Sequence, residues 1–192
     1  GSTVRFAITT GGNGAEQQIN GTAALPTGVW KHVAVTLSGN TGRLYVDGVH
    51  YAAHCRVDIG AMGADFFVCS PYKFLGPHLG VLASWPHVLD QLRNDKLLPA
   101  TNAVPERFEF GTLPYELLAG TAAAVDYLAA LAPGTASSRR ERLTASFGVL
   151  EHHEDALRAR IEHGLAELPE ITLWSRAALR TPTLLLGLPG RA

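Results

Sequence analysis

Apolar positions change their period along this chain. Over residues 4–49 they come as short β-rich runs broken by turn residues. Residues 4–9 form one run, followed by the breaker Gly11-Gly12-Asn13-Gly14, and residues 17–21 form a weaker second run. Over residues 30–37 the alternation is clear: Trp30, Val33, Val35 and Leu37 are apolar, with His32, Ala34 and Thr36 between most of them. Ser38-Gly39-Asn40-Thr41-Gly42 reads as a turn and residues 43–46 as a further strand. Asp47-Gly48 then fits a two-residue hairpin turn, whose central residues need φ > 0.

From Tyr51 the texture changes. The continuous apolar run Phe66-Phe67-Val68 within residues 65–69 predicts a strand buried on both faces, and residues 79–83 predict a second strand. Pro86 opens a helix to about Asn94. An alanine-rich helix spans residues 114–131 and stops at Pro133-Gly134. Residues 138–168 give the strongest helical signal. Leu143, Phe147, Leu150, Leu157, Ile161, Leu165 and Leu168 recur at three- and four-residue steps, with charges opposite. Residues 171–174 and 183–188 read as strands of a following small sheet. Strands alternating with helices predict an α/β architecture after an all-β, jelly-roll-like first segment.

Composition narrows the class. The chain has 192 residues, 46% apolar and 17% charged, enough to bury a core. Its formal net charge of −1 argues against a nucleic-acid partner. No apolar run approaches the roughly 18–20 residues that cross a bilayer, and no signal peptide is visible, so no membrane association is expected. Gly1-Ser2 with no initiator Met reads as a start inside a longer chain. Two cysteines, Cys55 and Cys69, favour a reducing, cytoplasmic setting, with an extracellular one as the alternative if the β segment dominates.

Leu25-Pro26-Thr27-Gly28-Val29-Trp30-Lys31-His32-Val33-Ala34-Val35-Thr36-Leu37-Ser38, followed by Gly42-Arg43-Leu44-Tyr45-Val46-Asp47-Gly48, resembles the core hairpin of laminin-G-like, concanavalin-A-like jelly rolls. The resemblance covers residues 1–46; no binding residue is carried over from it, and Trp30 and Tyr45 read as core aromatics. Members of that family often bind glycans or calcium, through loops this piece does not contain.

The remaining sequence resembles the class V aminotransferases and cysteine-desulfurase-like enzymes. The carrying residues are Asp47-Gly48-Val49-His50, then Gly63-Ala64-Asp65-Phe66-Phe67-Val68-Cys69-Ser70, Tyr72-Lys73, and Gly76-Pro77-His78-Leu79-Gly80-Val81-Leu82. The likeness continues through Arg107-Phe108-Glu109-Phe110-Gly111-Thr112-Leu113-Pro114 and Arg180-Thr181-Pro182-Thr183. It implies the second half of a large domain over residues 47–132 and the start of a small domain over 133–192. It implies a pyridoxal phosphate (PLP) cofactor, with Lys73 as the Schiff-base lysine. Asp47 is then the partner of the pyridine nitrogen, which must stay protonated for the ring to act as an electron sink. His50 would lie near the ring oxygen, and Ser70 and Tyr72 at the phosphate. Thr112 would reach the phosphate of the other subunit of a homodimer. The substrate would be a small-molecule amino acid.

Plainer readings stand beside these. A loop lysine is ordinarily solvated, and Asp47-Gly48 is also the hairpin turn of the first pattern. His50, His54 and Cys55 have metal-like spacing but no strong second ligand pair, so no metal is expected. His152-His153 reads as a solvated helix face, and Cys55 and Cys69 as packing. The two patterns meet within Tyr45-Val46-Asp47-Gly48-Val49, as a join would, which leaves open an inactive chimera or a glycan-binding module. A doubly wound sheet without its first half exposes apolar edges unless the β segment or a second chain covers them.

Overall fold

The computed structural model describes residues 3–9, 16–24, 32–38, 41–134, 136–175, 177–178 and 180–190. The breaker at 11–14, Trp30 and the central residues of the turn at 38–42 lie outside them. Strands β1 (Thr3–Thr9) and β2 (Glu16–Ala24) form a separate antiparallel pair.

The main sheet has four strands in chain order: β3 (His32–Ser38), β4 (Thr41–Asp47), β5 (Phe66–Cys69) and β6 (Val81–Ser84). β4 pairs antiparallel with β3 and parallel with β5, and β5 pairs antiparallel with β6. The hairpin that carries the jelly-roll-like pattern is therefore one end of the α/β sheet, and β4 serves both patterns. One edge of the half-sheet is covered from within the chain, by β3.

Alternation decides what each face of β3 and β4 does. Ala34 and Thr36 are exposed, while Val35 packs on the core. Leu44 and Val46 are buried with Phe67, Ala52, Met62 and Ala64. On the opposite face Tyr45 stacks on Phe66, with ring centroids 4.4 Å apart and planes 7° apart. Phe66 and Phe67 are both buried, as the continuous apolar run predicts, but Val68 is partly open. Asp65 fastens the parallel pair. Its Oδ2 accepts from the Leu44 N–H at 2.7 Å, and its own N–H donates to the Leu44 carbonyl at 3.0 Å.

The Asp47-Gly48 hairpin turn is not formed. β4 ends at Asp47, and the chain crosses to the parallel β5 through α1 (Tyr51–His54) and α2 (Ile59–Met62). Parallel strands need such a crossover. The Gly48 N–H donates to the Val68 carbonyl at 2.9 Å, and glycine is required there because its missing side chain makes room for the Phe67 ring.

The helix α3 (Pro86–Asp90) is shorter than the helix to about Asn94 expected from Pro86, while α4 (Tyr115–Ala129) and α5 (Arg139–Ala166) match their expected spans closely. Ser138 and Glu141 cap α5 reciprocally. The first half of the α5 apolar stripe is used, with Phe147 buried against α4 beside Leu128. Its second half, Leu157 and Ile161, is exposed. β7 (Thr172–Leu173) and β8 (Leu186–Gly187) form the small following sheet. No helix among the described residues is long and apolar enough to cross a membrane.

Candidate active site

The parallel pairing of β4 and β5 brings their C-terminal ends side by side, with Asp47 opposite Val68. Ligands of open α/β sheets collect outside the carboxyl ends of parallel strands. Five of the six site residues expected from sequence gather along this edge. Asp47 closes β4 and is exposed, and its Oδ1 accepts from the Val49 N–H at 3.0 Å. His50 flanks the start of α1 and is exposed, with no side-chain capping bond. Ser70 follows β5 and precedes a 3-10 turn at Pro71–Phe74 that carries Tyr72 and Lys73. The Lys73 N–H donates to the Ser70 carbonyl at 2.9 Å, so the lysine sits one short turn beyond the strand end. Its side chain is exposed.

Thr112 stands elsewhere. It is exposed in the turn after Gly111 that leads into α4, and among the described residues no hydrogen bond joins it to the other five.

The loop around Lys73 is tightly closed. The Gly76 N–H donates to the Pro71 carbonyl at 2.8 Å, and Leu75 takes the left-handed conformation with φ 69°. Pro77 then rests against Gly120 of α4. This return brings His78 onto Tyr72, a neighbour that sequence periodicity gives no reason to expect. The rings stack with centroids 5.0 Å apart.

Two cavities flank the edge without containing Lys73. One of about 240 Å³ lies between the Phe67 face of the sheet and α4 and α5, lined by Cys69, Phe74, Val125 and Leu143 among others. Burial there pushes the Cys69 thiol up, which suits packing rather than nucleophilic attack. The other, about 230 Å³, opens between α1, α5 and the segment 180–182. It holds the His54–Glu154 pair, with Nδ1 2.8 Å from Oε1. Burial, then the neighbouring Cys55 and Glu151, push the Tyr51 phenol up to about 12. Burial, then Asp155 and Glu154, push the Glu151 carboxyl up as well.

Comparison with known proteins follows the same division of the chain. The concanavalin A-like lectin/glucanases superfamily matches residues 1–65. A probable cysteine desulfurase of Pseudomonas aeruginosa is 30% identical over 161 residues, 76% of this chain and 37% of that protein. About three quarters of this chain resembles the cysteine desulfurases and aminotransferase-like proteins. The aminotransferase-like protein FGM3 of Gibberella zeae is 30% identical over 146 residues, 73% of this chain and 34% of that protein. The apo cysteine desulfurase of Thermococcus onnurineus superposes with a TM-score of 0.57 at 26% identity, over 77% of this chain and 37% of that one. The chain spans about a third of the length of the curated relatives it matches. The fold is α/β of the cysteine-desulfurase kind, with an N-terminal jelly-roll-like segment.

Proposed function

We propose that this chain carries the lysine-bearing part of a PLP-dependent, cysteine-desulfurase-like enzyme, with Lys73 as the point of covalent attachment. The observation that carries the proposal is the adjacency of Asp47 and the Ser70–Lys73 turn at the carboxyl ends of one parallel strand pair. Cysteine desulfurases as a class use PLP, whose ring serves as an electron sink when bound.

The donor set suits that group. Lys73 offers an accessible primary amine for the aldehyde. Asp47 offers a carboxylate with lone pairs beyond its one bond to Val49, able to hold a proton on a ring nitrogen. Ser70 and Tyr72 offer hydroxyl donors for a phosphate, and His50 an imidazole for the ring oxygen. Thr112 is assigned to the phosphate of a second subunit, which makes a homodimer part of the proposal. The substrate would be a small-molecule amino acid, and the exposed Lys73 amine would be the group that carries a proton to or from it.

The test is direct. Added PLP is fixed with borohydride and the labelled residue is mapped. A label on Lys73 that is lost in Lys73→Ala supports the proposal, and equal labelling of both proteins refutes it.

The match of residues 1–65 favours a second reading, glycan binding by the N-terminal strands. Signal on a glycan array that disappears when residues 1–24, which carry the separate β1–β2 pair, are removed supports it; a flat array for the full chain rejects it.

A further inference from the structure

Lys73 shares an aromatic ring with a histidine. The Tyr72 and His78 rings stack with centroids 5.0 Å apart and planes 13° apart. Lys73 Nζ lies 5.1 Å from the centroid of the same Tyr72 ring. A cation within about 6 Å of a ring centroid is attracted by the ring's quadrupole. The phenol ring is therefore held by an imidazole and in turn holds an ammonium.

The backbone brings the three groups together without help from the rings. Leu75 turns the chain with φ 69°, and Gly76 N–H closes it on the Pro71 carbonyl at 2.8 Å. Only glycine fits there, since a Cβ on Gly76 would lie 2.8 Å from Pro71 Cβ. Pro77 is seated against Gly120. The turn is thus closed by hydrogen bonding and steric fit. Tyr72 remains 43% exposed and His78 is exposed too, so the ring pair buries little surface. What the stack does is fix the orientation of Tyr72. Lysine has four rotatable bonds and wanders unless something seats its head.

We propose that His78 is a positioning residue: it holds the Tyr72 ring as a seat for the Lys73 ammonium at the strand edge. The inference deepens the reading of Lys73 as the attachment residue and rests on it for its purpose, though not for its geometry.

The experiment is competitive acetylation of the full chain with limiting acetic anhydride, read by mass spectrometry as the Lys73/Lys96 ratio. Lys96 donates to the Ala100 carbonyl at 2.6 Å and serves as a reference within the same molecule. A lysine head held on the ring is withheld from the reagent, so the seat slows acetylation. Releasing it in His78→Ala is expected to raise the ratio roughly two- to fivefold, the range of an exposed cation–π contact. His78→Phe, which keeps a stacking ring, is expected to restore the wild-type ratio. An unchanged ratio in His78→Ala, or a His78→Phe ratio equal to that of His78→Ala, overturns the proposal. If His78→Ala does not fold, Tyr72→Leu makes the same test: a raised ratio supports the seat and an unchanged one overturns it. Borohydride-trapped PLP on Lys73 separates this inference from the wider reading. A wild-type chain that takes no label at Lys73 but shows the expected ratios keeps the seat and loses the attachment reading. A labelled wild-type chain with unchanged ratios does the reverse.

Discussion

A Cβ built on Gly48 would lie 2.0 Å from Cζ of Phe67. Phe67 is 2% exposed and part of the core, so moving its ring aside costs packing. Gly48 joins the lectin-like hairpin to the crossover that follows, and the sheet continues across that point only because nothing projects from it. Gly48→Ala is expected to destabilise the fold by about 3 kcal/mol, the upper part of the range for overpacking a core. Urea unfolding measures it. Adding Phe67→Leu in the same chain should recover part of the loss, since the clash is between these two groups.

The pair His54–Glu154 fastens α1 to α5 across 100 residues of sequence. Both side chains are half-buried, which gives the contact more weight than a surface ion pair. A double-mutant cycle with His54→Ala and Glu154→Ala should give a coupling energy of about 1 kcal/mol. A coupling near zero would mean that α5 does not pack on α1 as described.

Acid should weaken two caps together. The Ala61 N–H, then Arg140, holds the Asp58 carboxyl below its usual range, and Ser138, backbone first, does the same for Glu141. Each folded-state value lies below the unfolded one. The stability they contribute is therefore complete above the unfolded values, near about 4, and is lost as pH falls through the lower folded values. Asp58→Ala should lower stability at pH 7 and flatten the decline between about pH 4 and 2. Thermal melts across that range read both effects.

Leu75 takes the left-handed conformation with its side chain 70% exposed, so it loses backbone energy and gains little packing. Leu75→Asn should raise stability by about 1 kcal/mol, because asparagine tolerates that conformation. A thermal melt showing a loss instead would mean that the leucine makes a contact worth more than the strain.

Much of this was legible in the sequence. The alternation around Val35 and the run Phe66-Phe67 mark strands because burial on one or both faces leaves a direct pattern. The stripe from Leu143 to Phe147 marks α5 in the same way, whereas the cap at Ser138 emerges only in the structure. Asp47-Gly48 misled because a strand end followed by glycine has two physical causes. A turn needs the glycine's φ, whereas a crossover needs its lack of a Cβ, and only the position of Phe67 distinguishes them. The gathering of Asp47, Ser70, Tyr72 and Lys73 followed from motif resemblance rather than from spacing. His78 was missed because its partnership with Tyr72 depends on a loop reversal at Leu75, where leucine gives no turn signal. The exposed half of the α5 stripe, Leu157 and Ile161, shows that periodicity reports a face to be buried and not what buries it.

The central claim is that Lys73 is where PLP attaches. Incubating the full chain with PLP, fixing with borohydride and mapping peptides by mass spectrometry tests it most directly. The account predicts a pyridoxyl group on Lys73, none above background on Lys96, and loss of the label in Lys73→Ala. Equal labelling of Lys73 and Lys96, or a Lys73→Ala chain labelled as strongly as the wild type, would contradict it.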